Sequence, residues 1–282
     1  MKLSPKNYPY NVYHSLTLNA TFYKSFSTPK EQTIIYLHGG GLLYGQRDDL
    51  PEVYIRSFLE AGYHFLTLDY PLAPEAPLND IYQEIKKGIH WFIKEYHSTL
   101  GISSNSFSLF GRSAGAYLAL LLTKDAELPT PEKLISFYGY YSLEEKSFQE
   151  PNSFYKKYPI MPEKIIQKLI GKVPIATGPM ETRYALYLYA RQTGKWLDFL
   201  QVAEKNLPKF SLTKSDLEAL PPTFIAQSKT DQDVPYQIGQ MLQLSIPDSY
   251  FFTVNNLEHD FDRQPAVPEA KEAYRQLLSW LS

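Results

Sequence analysis

Six short apolar runs punctuate the chain: "TIIYL", "YHFLTL", "SFSLF", "KLISFY", "TFIAQS" and "SYFFTV". Runs of this length with little polar alternation predict strands covered on both faces, as in a parallel sheet. Between them lie segments of helical periodicity. Leu78, Ile81, Ile85, Ile89, Phe92 and Tyr96 recur at that spacing ahead of the third run, and Tyr274, Leu277, Leu278 and Leu281 do so after Pro268, a helix start signal. "AGAYLALLL", which follows the third run, reads as a buried helix. Nearer the N-terminus "VYHSLTL" and "ATFYKSF" alternate, which predicts an antiparallel pair. Strand and helix in alternation predict an α/β fold: a mostly parallel central sheet with helices on both faces.

One stretch breaks that rhythm. From about Tyr141 to Leu220 no strand is legible, prolines are frequent, and "ETRYALYLYARQTGKWLDFLQ" reads as helix. This is too long for a plain connection. The expectation is one domain over residues 1–282 with a helical cap insertion at 141–220 lying over the C-terminal edge of the sheet. The other reading is a small separate domain, which Pro221 and Pro222 would delimit.

Composition narrows the class. A formal charge of −2, with acids and bases mixed, gives no basic block for nucleic acid and no polybasic stretch for anionic lipid. With no cysteine there are no disulfides and no thiolate metal ligands, and a reducing compartment is favoured. "MKLSPKNYPYNVYHSL" lacks the apolar core of a signal peptide, and the longest apolar run is too short to span a bilayer. The expectation is a cytoplasmic protein without stable membrane association. Oligomeric state is not legible; a homodimer is compatible with the sequence.

Candidate chemistry enters at "SFSLFGRSAGAYLALLL". A strand that turns directly into a helix strains the corner residue, and side chains on its neighbours would clash across the bend. Gly111 and Gly115 relieve that clash. Gly-x-Ser-x-Gly between a strand and an apolar helix is the nucleophile elbow of α/β-hydrolases, with Ser113 at the corner. In that architecture the acid and then the histidine follow the serine. Of the histidines, only His259 comes after Ser113. The acid should follow "TFIAQS", where "KTDQDVPY" offers Asp231 and Asp233. Strand geometry alone does not separate them. Asp233, just before Val-Pro, suits a helix N-cap, which favours Asp231 as the acid. Upstream, "YLHGGG" follows the strand expected beside the serine strand. Consecutive glycines let backbone N–H groups point at a ligand. Gly40 and Gly41, with Ala114, are the expected oxyanion donors. His38 is expected to hold the loop by packing or hydrogen bonding.

With "HGGG" at His38, "DYPLAPEAP" from Asp69, "GRSAG" at Gly111, "TDQDVP" at Thr230 and "EHDF" around His259, the chain resembles the hormone-sensitive-lipase-like esterases of the α/β-hydrolase superfamily, from about Ile34 to Phe261. The resemblance implies Ser113 as nucleophile, Asp231 as acid and His259 as base, with the oxyanion donors just named and no cofactor or metal. It gives Asp69 and Glu75 structural parts. There are departures: Arg112 stands where the family usually has Asp, Pro71 where it often has Arg, and the segment before the sheet is short. The elbow's neighbour must therefore find different partners, and the middle insertion would carry the lid.

The leading expectation is a serine hydrolase of small-molecule carboxylic esters. An amidase or peptidase on the same core is a second reading, and a catalytically dead binding module a third. The third should lack a member of the constellation, and the chain has them all. Around "RYALYLYARQ" the apolar residues spread over the whole helix. That suits a packed cap more than an interfacial lipase lid, so acyl chains of about two to six carbons are expected.

Overall fold

The computed structural model describes residues 3–282. The six apolar runs form β3 (Thr33–Leu37), β4 (His64–Leu68), β5 (Phe107–Arg112), β6 (Leu134–Phe137), β7 (Thr223–Ser228) and β8 (Ser249–Val254). They join in parallel, and β1 (Lys6–Tyr13) and β2 (Leu16–Tyr23) extend the sheet antiparallel at one edge, giving the order β1-β2-β4-β3-β5-β6-β7-β8.

Side-chain alternation along each strand builds two cores. Ile35 and Leu37 of β3, Leu109 of β5 and Ile225 of β7 enter the core that also holds α2 (Leu78–Glu95), α3 (Ala114–Thr123) and α9 (Tyr236–Ser245). Ile34, Tyr36, Phe110 and Phe224 enter the other, against α1 (Glu52–Glu60) and α10 (Pro268–Leu281). The periodic residues Leu78, Ile81, Ile85, Ile89 and Phe92 are the buried face of α2, and α10 begins at Pro268 as its start signal indicates.

The N-terminal pair differs from the sequence reading. "VYHSLTL" is not one strand: it holds the tail of β1, a turn at His14 and Ser15, and the start of β2, with Tyr13 opposite Leu16. Alternation is blind to a reversal that keeps the same face. This turn carries no Gly or Pro and places His14 at φ 52°, so nothing local announced it.

Between β6 and β7 there is no strand. The segment holds α4 (Lys146–Gln149), α5 (Glu163–Leu169), α6 (Met180–Thr193), α7 (Trp196–Phe199) and α8 (Lys214–Glu218), with two 3₁₀ turns. The run read as one helix is divided. Gly194, left-handed at φ 72°, closes α6 and its N–H returns to Ala190 O. The segment is fastened to the body. Arg183 of α6 forks onto both oxygens of Glu75 and also donates to Leu43 O and Ala73 O. Asp69, just past the end of β4, holds Arg47 and the Asn19 N–H within the body. Among the described residues no helix is long and apolar enough to cross a membrane.

Candidate active site

The elbow is built by crowding. β5 ends at Arg112 and α3 begins at Ala114, with Ser113 between them at φ 53° and ψ −119°. This is a backbone conformation that costs roughly 1–3 kcal/mol for a residue with a side chain. It persists because the surroundings fix it. Ser113 N–H donates to Phe137 O at 2.9 Å, and its carbonyl accepts from Tyr117 in the first turn of α3. A Cβ on Gly111 would lie 2.2 Å from Ala116 N, and one on Gly115 would lie 2.1 Å from Leu37 O. Neither position has room for any other residue.

Residues far apart in sequence meet at the serine hydroxyl. His259 Nε2 lies 2.8 Å from Ser113 Oγ, and His259 Nδ1 lies 2.7 Å from Asp231 Oδ2. Asp231 is held from both sides. Its Oδ1 accepts from the N–H groups of Asp233 and Val234, and its Oδ2 also accepts from Gln227 Nε2 at 2.8 Å. Asp231, not Asp233, therefore caps this turn. The side-chain oxygen two residues before the reversal is the one that reaches its N–H groups. The N-cap position of α9 is Pro235, with no side-chain cap. Asp233 instead turns to α6, where its carboxylate accepts from Tyr187 Oη at 2.5 Å and from Arg191 Nε at 3.2 Å. Its Oδ2 is 3.9 Å from His259 Nε2.

The charge state of His259 follows from these neighbours. Burial disfavours the imidazolium, but the charge and hydrogen bond of Asp231, with Asp233 and Asp260 beyond it, outweigh burial and raise the group to about 9. His38 is the opposite case. Burial lowers it to about 4, so it is neutral. It stacks on Tyr70 at 4.1 Å, and its Nδ1 lies 2.8 Å from Gly39 O. It holds the glycine loop.

That loop leaves β3 directly beside β5. Gly40 and Gly41 lie at φ 96° and 58°, and among the described residues no protein acceptor engages their N–H groups. A Cβ on Gly41 would sit 2.2 Å from the Tyr187 ring, and Trp196 Nε1 donates to Gly41 O at 2.9 Å. The insertion thus presses on the loop from outside, a contact that sequence reasoning missed. Ala114 stands at the first position of α3, where a backbone N–H has no partner within its own helix.

Arg112 finds the partners that its departure from the family pattern called for. It donates to Tyr138 Oη at 2.7 Å and to Asp262 Oδ1 at 3.1 Å. Asp262, fully buried, also accepts from Tyr138 Oη at 2.6 Å and from Tyr274 Oη at 2.7 Å, while its carbonyl accepts from Tyr54 Oη. The cluster ties the loop that carries His259 to the ends of β5 and β6 and to α1 and α10. Tyr138 also packs on the His259 ring at 4.6 Å. The sequence signal for it was the second aspartate in "EHDFDR", three residues past the histidine.

Two spaces open onto Ser113. A cleft of about 590 Å³ is lined by Ser113, His259, the glycine loop and a set of rings that includes Tyr44, Phe154 and Tyr184. A recess of about 10 Å³ is bordered by Gly41 and Tyr187 and walled by Tyr140, Phe148, Arg191, Trp196 and Val234.

A family model described as α/β hydrolase fold matches residues 34–261. Among solved structures, a protein of unknown function from Staphylococcus aureus is 32% identical, with 98% of each chain covered and a TM-score of 0.88. An α/β-hydrolase superfamily protein from Enterococcus faecalis is also 32% identical, covering 99% of this chain and 98% of that one, with a TM-score of 0.85. Among curated proteins, the hormone-sensitive lipase of Bos taurus is 33% identical over 91 residues, 32% of this chain and 12% of that protein. The chain spans 6% to 23% of the length of these curated relatives.

Proposed function

Because the chain belongs to the α/β-hydrolase fold family, we propose that it is a serine esterase of the carboxylesterase type, resembling the hormone-sensitive-lipase-like group and acting on short-chain acyl esters. The observation that carries this reading is the unbroken line from Asp231 Oδ2 through His259 to Ser113 Oγ, with contacts of 2.7 and 2.8 Å. Ser113 Oγ attacks the acyl carbon as its proton passes to His259 Nε2. Asp231 holds Nδ1–H, fixing the tautomer and offsetting the imidazolium charge. The oxyanion is met by the N–H groups of Gly40, Gly41 and Ala114, and such a donor is worth about 10²–10³ in rate. His259 returns the proton to the leaving alcohol, and water then cleaves the acyl-enzyme by the same route. Apart from that water, these steps draw on side chains and backbone N–H groups of the chain. The segment at 141–220 acts as the cap. Its grip through Arg183, Trp196 and Tyr187 supports a closed, limited acyl pocket over a mobile interfacial lid.

The test is a fluorophosphonate probe, with the labelled residue located by mass. Labelling of Ser113 with loss of esterase activity is the expected result. Well-folded protein that takes up no probe would return the chain to the class of non-catalytic binding modules.

The pH dependence has a definite sign. The base must be neutral to take the serine proton, and its carboxylate neighbours hold His259 protonated up to about 9. With a non-ionising ester, kcat/KM should therefore climb with pH through a midpoint above 6.5 and toward about 9. The same shift makes protonated His259 a contributor to folding stability. That contribution is complete below pH 6.5 and is lost as pH rises through about 9. A rate profile already flat at pH 6 would contradict this electrostatic picture.

A further inference from the structure

The two spaces at Ser113 differ in size and in what lines them, and proton transfer decides which part of an ester each receives. The leaving oxygen must take its proton from His259 Nε2, so the alcohol lies on the histidine side. His259 lines the cleft and is absent from the recess. Gly41, Ser113 and Tyr187 border both. The acyl group, bound to Ser113 and away from His259, is left with the recess.

The recess holds about 10 Å³, the room of about one water-sized sphere. Its walls are fixed. Tyr140, Phe148, Trp196 and Val234 are each at most 3% exposed. Tyr140 stacks on Tyr117 at 4.8 Å, and Phe148 and Trp196 pack on each other at 5.5 Å. Trp196 is pinned to Gly41 O, and Arg191 lies over the Phe148 ring while bonded to Asp233. The cleft on the other side is nearly sixty-fold larger, about 590 against about 10 Å³.

Building on the esterase reading, we propose that the recess is the acyl site and that it admits an acetyl group and nothing longer, while the cleft receives a bulky alcohol. The substrate class is then acetyl esters of large alcohols. In the reaction, the bond from Ser113 Oγ to the acetyl carbon forms as the bond from that carbon to the alcohol oxygen breaks. The alcohol leaves with the proton relayed by His259, and water releases acetate. Each methylene beyond acetyl must push into packed rings, and overpacking of that kind outweighs the gain from burying it.

The experiment holds the alcohol fixed and lengthens the acyl chain, then holds the acyl group at acetyl and enlarges the alcohol from methyl to a naphthyl or glycosyl group. Acetate should exceed butyrate by roughly tenfold or more in kcat/KM, and the rate on acetyl esters should rise with alcohol bulk. Val234→Ala, which removes two wall carbons, should shrink the acetate-to-butyrate ratio severalfold. Phe148→Leu should do the same, which guards against one variant failing to fold, and stoichiometric probe labelling reports folding in each. Wild-type protein that turns over butyrate or hexanoate as fast as acetate would overturn the acyl assignment and leave the esterase reading standing. Acetyl esters whose rates ignore alcohol size would overturn the assignment of the cleft. No turnover of any ester, with no probe labelling, would remove the esterase reading and this inference with it.

Discussion

Ser113→Ala is expected to lower kcat on any ester by about 10⁶-fold with almost no change in melting temperature. The substitution removes one oxygen. Among the described residues that oxygen makes one hydrogen bond, with His259 Nε2, and no part of the fold hangs on it. The strained backbone at φ 53° is imposed by Gly111, Gly115 and the bond to Phe137 O, and alanine meets the same strain. His259→Ala should cost nearly as much activity. It should also lower stability somewhat, because the ring packs on Tyr138 at 4.6 Å. Kinetics on an activated ester, thermal melts and probe labelling check both variants together. A Ser113→Ala protein retaining more than about a thousandth of the wild-type rate would mean that another group attacks the ester.

The elbow was legible because its constraint is local. Two glycines must flank one serine where a strand abuts a helix, and the structure shows backbone atoms 2.1 to 2.2 Å from where each Cβ would stand. His259 was legible by elimination, since chain order leaves one histidine after the serine. The sheet was legible because six apolar runs have few other uses, although β8, at the edge, is only half-buried and leaves Tyr250 exposed.

What escaped the sequence is long-range. Arg112 and Asp262 are separated by 150 positions, and Tyr187 and Asp233 by 46. No periodicity links such pairs. The cap role first favoured for Asp233 failed for a related reason. Both acids sit before the same proline, and only the folded turn shows that Asp231 Oδ1 reaches the N–H groups of Asp233 and Val234. The recess also depends on side chains drawn from the end of β6, from α4, from α7 and from the turn before α9, which meet only after the insertion has folded back.

Asp231→Asn should reduce kcat by about 10⁴-fold while leaving the fold intact, and Asp233→Asn should do the opposite. Asp231 is surrounded by donors: two backbone N–H groups on Oδ1, and Gln227 Nε2 and His259 Nδ1 on Oδ2. An asparagine that keeps its oxygen on the backbone N–H groups presents an NH₂ to His259 Nδ1. The imidazole must then carry its proton on Nε2, the tautomer that cannot accept from Ser113. Flipping the amide restores Nδ1 but sets NH₂ against the backbone donors. At Asp233 the same change removes the charge that faces Arg191, which is 1% exposed. An uncompensated buried charge of that kind costs about 3–5 kcal/mol. The loss should appear as a lowered melting temperature. It should also shift the rate profile to lower pH, since Asp233 is among the charges that raise His259, while kcat at high pH stays within about tenfold of wild type. Two isosteric substitutions two residues apart thus divide chemistry from stability. A larger loss of kcat from Asp233→Asn than from Asp231→Asn would place the catalytic acid at Asp233.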